Sequence, residues 1–527
     1  STKDHTCRVA YSQARRATAD TTCHYEVKIA RDPVDREVTT IAAFTGNHNN
    51  QRGVESGLYN WPASMWFPHS DITCHVAVHQ PDVMYFSGDQ VYENASPTGV
   101  DRKFLELDYL YKWYLWCWAY RDLTREIVSV CVPDDHDVYQ GNLWGQGGRP
   151  AKNQGMGGYV YPAEFVKMVE RTQTCHLPDP YDPTPVEQGI GVYYTGLDFG
   201  GVSYAILEDR KFKTGEESEE SLSKDPTRIK LLGDRQLDFL SHWAADWAPG
   251  VEMKCVLSQT IFGCLHTGWG TRAFKKDLPA DDYDSNGWPS HGRNKALREI
   301  RKGFAFMIGG DQHLATIVHH GIDEFDGAGW SFCVPSVANF YPRSWMPEIP
   351  ADRALPGLPE YTGSYHDGFG NKVTVWAAAN PIGSTGAEPA ALHDRSPGYG
   401  IVHFNKKART VQMECWPRYA DPDRDEMQYK GWPKTIDMLD NYGKKPVAWL
   451  PTIEVSGFDK PVLQVIDQRY GDTVYTLRLP GNSFRPWVFR EGPYTLRIGQ
   501  PGTDRLKVIA DVEATEDKTE DVIKVDF

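Results

Sequence analysis

The sequence predicts an α/β protein with a small all-β domain at its C-terminal end, and three observations support that reading. Five short β-rich runs each give way to polar, glycine-containing residues, and segments of helical spacing fall between them. Beyond residue 447 the pattern turns to short alternating runs divided by turn residues. At roughly 150 residues per domain, a chain of this length suits about three domains, or fewer if one is large.

Residues 1–37 hold an Ala/Arg/Thr-rich stretch and one short β-like run, too little for a domain, so they are expected to pack on the core. Residues 38–417 read as the main domain. Its first run, residues 38–44, is followed by Gly46-Asn47-His48-Asn49, and its second, residues 83–86, by Ser87-Gly88-Asp89. Residues 127–132 precede Pro133-Asp134-Asp135-His136-Asp137, residues 255–257 precede Ser258-Gln259, and residues 304–308 precede Gly309-Gly310-Asp311-Gln312-His313. Buried strands that end this way put ligand-type side chains along one sheet edge. Between the second and third runs, Phe104, Leu107, Leu110 or Tyr111, Tyr114 or Leu115, and Trp118 recur at helical spacing within residues 101–126. Helical patterning returns at 162–171, 234–247 and 294–302, and a long Gly/Asp/Pro-rich loop over 265–290 flanks the ligand edge. Residues 418–446 are polar and read as a linker, and residues 447–527 read as a small antiparallel β-sandwich.

Charge and composition narrow the function. The chain has 56 basic and 71 acidic side chains, a formal net charge of −15, which argues against a nucleic-acid-binding surface. Steering of an anionic substrate must then be local, for instance by metal ions. The most hydrophobic stretch, residues 109–120, is short and contains Lys112, so no membrane span is expected. The 17 Trp residues serve either a ring-rich core or stacking platforms for a flat ligand such as a sugar. Ten cysteines include no C-x-x-C pair, so a zinc ribbon or thioredoxin-like motif is not supported, and their even number permits disulfides without requiring them. The chain begins at Ser1 and shows no signal-peptide pattern, so any export signal is expected to have been removed or never present.

Taken together, the five strand ends supply Asn47 or His48, then Asp89 with Tyr92, then Asp135 and His136, then Gln259, and then Asp311 and His313. Chemically this is a kit for two cations about 3.5 to 4 Å apart. Asp89 is the natural bridge. Tyr92 and His313 would share one ion, and a phenolate favours a trivalent cation such as Fe³⁺. The other ion would see Asp89, Asp135, Gln259 and Asp311, all oxygen donors, which suit Ca²⁺, Mg²⁺ or Mn²⁺. His136, beside a ligand, could meet the substrate oxygen or the leaving group.

This order resembles the metallophosphoesterase superfamily, and within it the PhoD-like alkaline phosphatases together with the related purple acid phosphatases. The carriers are Gly88-Asp89-Gln90-Val91-Tyr92, Asp134-Asp135-His136-Asp137 and Gly310-Asp311-Gln312-His313. Supporting pieces follow the same order: Leu232-Gly233-Asp234-Arg235-Gln236, Asp282-Tyr283-Asp284-Ser285-Asn286-Gly287-Trp288-Pro289 and Gly398-Tyr399-Gly400-Ile401. The resemblance implies a four-layer α/β/β/α catalytic domain, an iron ion beside calcium, and hydrolysis of a small-molecule or polymer phosphate ester by a metal-bound hydroxide. His136, Asp89 and Asp135 would be catalytic. Asn47, Asp89, Tyr92, Asp135, Gln259, Asp311 and His313 would hold metal, and Arg210 and His48 would bind substrate. Arg149, Lys152, His291 and Arg293 are further candidate phosphate clamps by position in the chain. The resemblance also implies export to the periplasm or the cell exterior. Two departures stand out: the first strand reads Ala43-Phe44-Thr45-Gly46-Asn47-His48 without the family's cysteine, and Asp137 replaces a Glu. The alternatives are a catalytically altered metal-binding or glycan-binding scaffold, and a two-metal hydrolase acting on a different bond.

Overall fold

The computed structural model describes residues 5–11, 23–29, 31–47, 69–93, 103–223, 225–338, 341–388, 390–517 and 520–527. Two large sheets and their helices make a mixed α/β architecture. The six-stranded sheet runs in the order Lys434–Asp437, Thr410–Pro417, Gly398–Asn405, Val38–Phe44, Val83–Phe86, Val128–Cys131. Its last three strands are parallel, with Ile41 opposite Val83 and Val83 opposite Val128. The nine-stranded sheet has at its centre the parallel strands Val202–Ile206, Met253–Thr260, Phe306–Gly310 and Trp330–Cys333. Parallel strands covered on both faces read as nearly continuous apolar runs, which is why residues 255–257 and 304–308 stood out in the sequence, while Trp330–Cys333 did not.

Successive side chains of these strands point to opposite sides. Ile41 and Ala43 pack with Tyr204, Ile206 and Leu257 of the other sheet. Ala42 and Phe44 pack instead with Ile72, Val76 and Trp116, on the helices Ser70–Val78 and Leu105–Thr124. On the second sheet, Ala205 and Val256 meet Phe239, Leu240, Ala296 and Leu297 of the helices Gly233–Ala245 and Ser290–Arg301.

Of the stripe its spacing suggested, the helix Leu105–Thr124 buries Leu115 and leaves most of the rest outward. Phe104, Leu107, Leu110, Tyr114 and Trp118 are 64, 62, 41, 63 and 42% exposed. The buried set includes Asp108, Tyr109, Lys112, Leu115, Trp116, Ala119, Tyr120 and Leu123. Asp108 and Lys112 are tolerated there because they form an i,i+4 pair at 2.8 Å, and the Lys112 ammonium also donates to the Tyr92 carbonyl at 2.9 Å.

The stretch expected as a linker contributes Lys434–Asp437, an edge strand paired to Thr410–Pro417. Beyond it lie a four-stranded sheet, Asp472–Arg478, Val462–Asp467, Gly492–Gly499 and Leu506–Ala514, and a three-stranded one, Ser483–Phe484, Thr452–Ser456 and Val522–Asp526. The pairing is not wholly antiparallel: Thr452–Ser456 and Val522–Asp526 run parallel, which the long intervening chain permits. Arg478 ties this region to the main sheets by donating to the carbonyls of Trp247, Ala248 and Val251 at 3.0, 2.9 and 2.6 Å. Near the start of the chain, His5–Tyr11 and Cys23–Ile29 form an antiparallel pair. Among the described residues no helix is long and apolar enough to cross a membrane.

Candidate metal centre

The two sheets meet at strand ends. Gly310 and the residues after Val38–Phe44 and Val83–Phe86 touch so closely that a Cβ at Gly310 would lie 2.2 Å from Ser87 Oγ and 2.5 Å from Thr45 Cβ. The Asp311 amide donates to Thr45 Oγ1 at 2.9 Å, joining one sheet's edge to the other's. Gly88 has φ +129°, and a Cβ there would fall 2.3 Å from Asp134 Cβ, so the Asp89 turn can cross the Asp134 turn only over a glycine. Asp89, Asp311 and His313 themselves hold left-handed backbone, with φ of 60°, 64° and 52°.

Asp137 clasps two of these turns. One carboxylate oxygen accepts from the amides of Asp89 and Asp134, both at 2.8 Å; the other accepts from the Val91 amide and from Gln173 Nε2, both at 2.9 Å. Burial and then the Asp89 charge push this carboxyl up to about 7, while the N–H donors favour the anion.

Two groups of donors converge on this junction, Asp89 with Asp135 and His136, and Asp134 with Asp135 and Asp311, and within each group one donor atom from every residue lies within 4.8 Å of the others. Asp135 belongs to both groups, whereas the sequence placed the bridge at Asp89. Asp134, passed over as a ligand in the sequence reading, belongs to the second group. Tyr92 and His313 complete the surroundings of Asp89. The Tyr92 hydroxyl donates to Asp89 Oδ2 at 2.5 Å, and His313 Nε2 lies 3.4 Å from that hydroxyl and 3.8 Å from the same carboxylate oxygen. Asp89 Oδ1 and Asp135 Oδ1 are buried without a hydrogen-bond partner.

The electrostatics follow from crowding. Burial disfavours the Asp89 charge, yet His136, His313 and Tyr92 outweigh it and hold the carboxyl below its ordinary value. Asp134 and Asp135 are pushed well up, first by burial and also by neighbouring carboxylates. Asp284 rises to about 7, by burial first. Against burial, Asp89 and Glu93 push His136 up to about 9. Glu93, which sequence reasoning missed, pairs with His136 Nδ1 at 2.7 Å.

Arg210 is the internal counter-charge. Its Nε and Nη2 donate to Asp134 at 2.6 and 3.2 Å, its Nη1 donates to the carbonyl and carboxylate of Asp284 at 2.6 Å each, and its Nη2 lies 3.1 Å from Asp311. The expected substrate ligand thus spends its donors on protein oxygens. Gln259 sits behind the junction rather than at it: Oε1 accepts from the Asp209 amide at 3.1 Å, and Nε2 donates to the Tyr193 hydroxyl at 2.7 Å and the Pro133 carbonyl at 3.2 Å. Asn47 lies at the rim, its amide donating to the Asp89 carbonyl at 2.8 Å, its Oδ1 accepting from Tyr120, and its Nδ2 buried without a partner. His48 lies outside the described residues. Of the other candidate clamps, Arg293 is buried on the carbonyls of Phe262 and Gly321, Arg149 holds those of Met156 and Gly157, and Lys152 and His291 are exposed.

No protein-family profile and no curated protein sequence matches the chain. Among solved structures it is similar to PhoD, at 13% identity and a TM-score of 0.46 over 96% of this chain and 77% of that one. It is also similar to the purple acid phosphatase PPD1 from yellow lupin (Lupinus luteus) seeds, at 12% identity and a TM-score of 0.45 over 84% of this chain. The chain spans 62% of the length of that phosphatase.

The donor set fits hard cations. Most of the donors are carboxylate oxygens, the buried ones lack enough protons to satisfy one another, and the two orphaned oxygens belong to Asp89 and Asp135.

Proposed function

We propose that this protein is a metal-dependent phosphoesterase with a two-ion centre. The observation that carries the reading is the junction itself: Asp89, Asp134, Asp135 and Asp311 gathered at the ends of two sheets, with buried carboxylate oxygens that no protein donor satisfies. Asp89 and Asp135, aided by Tyr92 and His313, would hold one ion; Asp134, Asp135 and Asp311 would hold the other, and His136 stands beside the first as a proton donor. Fe³⁺ suits the Tyr92 and His313 side, and Ca²⁺, Mn²⁺ or Mg²⁺ the all-carboxylate side. Bound there, such ions supply Lewis acidity, acidify water and neutralise charge on phosphorus oxygens.

The chain's own residues supply the rest. Glu93 holds His136 Nδ1 at 2.7 Å, which orients the ring and leaves Nε2 to protonate the departing oxygen of the ester. Arg210 holds Asp134, Asp284 and Asp311 in place, and Asp137 fixes the two turns relative to each other. The alternating packing of the strands supports a four-layer helix, sheet, sheet, helix arrangement for residues 38–417, with 447–527 as an appended β-sandwich.

The test is to strip the purified chain with chelator, reload it separately with iron, calcium, manganese or magnesium, and measure bound metal by mass spectrometry. Release of nitrophenol from p-nitrophenyl phosphate and its bis-ester is followed in parallel. About two ions per chain with metal-dependent release is the expected result. Absence of tightly held metal together with absence of release would overturn it.

A further inference from the structure

A two-ion phosphoesterase also needs a protein cation for the phosphoryl oxygens that face away from the metals. The cations named from sequence are committed or placed elsewhere, and the structure offers another. Arg343 lies on the two-residue strand Arg343–Ser344, far along the chain from every motif, and pairs with Trp269 across a short antiparallel ribbon. The ribbon is anchored: the Thr267 amide donates to the Ser344 carbonyl at 2.7 Å, and the Trp345 amide to Asn380 Oδ1 at 2.7 Å.

The Arg343 guanidinium has one carboxylate contact, Nη2 to Asp282 Oδ2 at 3.3 Å, and that oxygen also faces His266 Nδ1 at 3.8 Å. Arg343 Nε is buried with no hydrogen-bond partner. The side chain is 13% exposed, so it stands at the margin of the protein rather than sealed inside it. Its partner Asp282 borders the centre: Asp282 Oδ1 accepts from the Asp284 amide at 3.1 Å, and the Asp284 carboxylate lies 2.6 Å from Arg210, which also reaches Asp134 and Asp311. A buried N–H of a charged group is costly to leave unsatisfied, and a guanidinium presents paired donors matched to two oxygens of a phosphate.

We propose that Arg343 binds a non-bridging phosphoryl oxygen of the ester at this centre, donating through Nε and one terminal nitrogen. This rests on the phosphoesterase reading and adds the residue that recognises the phosphate. Arg210 and Arg343 then divide the labour: Arg210 neutralises the carboxylates of the centre, and Arg343 meets the incoming anion.

The test compares the metal-loaded wild type with Arg343→Gln and Arg343→Lys, using inorganic phosphate and orthovanadate as probes. Binding is read by calorimetry, bound metal by mass spectrometry and folding by thermal denaturation. For Arg343→Gln the phosphate dissociation constant and the KM for p-nitrophenyl phosphate should rise about 10- to 100-fold, with bound metal unchanged and a smaller change in kcat. Arg343→Lys keeps a charge but loses the fork, so it should recover part of the affinity; if the Gln variant fails to fold, the Lys variant alone is expected to weaken phosphate about fivefold. Phosphate affinity within about twofold of wild type in the folded variant, with metal retained, overturns the role of Arg343 and leaves the phosphoesterase reading standing. A wild type that binds metal and phosphate through Arg343 but hydrolyses no ester overturns the phosphoesterase reading and sustains the assignment of Arg343.

Discussion

Arg210 and Lys211 are chain neighbours, both are buried, and they serve opposite kinds of charge cluster. Lys211 contacts Glu170, lies 2.9 Å from Glu208, and also donates to the Gly191 carbonyl at 2.9 Å. Glu208 further accepts from the Tyr193 amide at 3.0 Å through Oε2, and its other oxygen, which has no hydrogen bond, is held by the Lys211 ion pair. Arg210 contacts Asp134, Asp284 and Asp311 while Asp89 and Asp135 stand close by, and two buried oxygens in that group find no donor. Both clusters look like buried ion pairs in outline. The difference is surplus: five carboxylates outnumber Arg210 together with its neighbours His136 and Arg343, which calls for added positive charge, whereas one ammonium between two carboxylates nearly suffices.

The strongest way to break this contrast is to remove the carboxylate shared by both donor groups. Asp135→Ala should lower phosphoesterase turnover about a thousandfold or more and abolish stoichiometric metal binding, with secondary structure intact by circular dichroism. Retention of both ions would return the bridge to Asp89. Next come Arg210→Met and Lys211→Met, each expected to cost about 3–5 kcal/mol by stranding buried charge. Millimolar calcium should raise the melting temperature of the Arg210 variant much more than that of the Lys211 variant, and equal responses would erase the distinction drawn between the clusters. Asp137→Asn is a smaller perturbation. It points an amide N–H₂ at N–H donors from two turns, and metal affinity, measured by competition with a chromogenic chelator, should fall about 10- to 100-fold.

The weakest effect concerns Lys254, a third buried cation that has no carboxylate contact within ion-pair range among the described residues. It donates to the carbonyls of Trp243 and Asp246 at 2.5 and 2.6 Å and lies 4.3 and 5.0 Å from the Trp243 and Trp247 ring centres. Burial lowers its pKa to about 7. Between about pH 7 and the ordinary lysine value near 10.4 the unfolded chain therefore holds a proton that the folded chain has shed, so stability should rise with pH across that window and be lowest below it. Chemical denaturation at pH 6.5 and 9.5 should show this slope in the wild type and a flatter one in Lys254→Met.

Much of this was legible because the central strands and their polar ends are local signals. Residues 38–44 and 83–86 read as strands and form strands, and Asp89, Asp135, His136 and Asp311 fall together where the strand ends meet. What stayed hidden depends on which way a side chain turns after the strand stops. Gln259 was expected past the end of its strand, but the strand runs on to Thr260, and the Gln259 amide turns toward Asp209 and Tyr193. The buried face of Leu105–Thr124 was ambiguous because aromatic and apolar residues occupy nearly every side of that helix. Arg343 and Glu93 belong to no motif; a two-residue strand and a position one step past Tyr92 leave no periodic trace.

The backbone at Asp89, Asp311 and His313 adds a constraint that chemistry alone would not impose. Left-handed turns admit asparagine, aspartate and histidine far more readily than branched or bulky side chains. Those three are also among nature's usual cation holders, so shape and reactivity filter the same short alphabet at each position. Asparagine at position 89 would pass the conformational filter while removing the anion, which makes it a gentler probe than alanine of what charge alone contributes there.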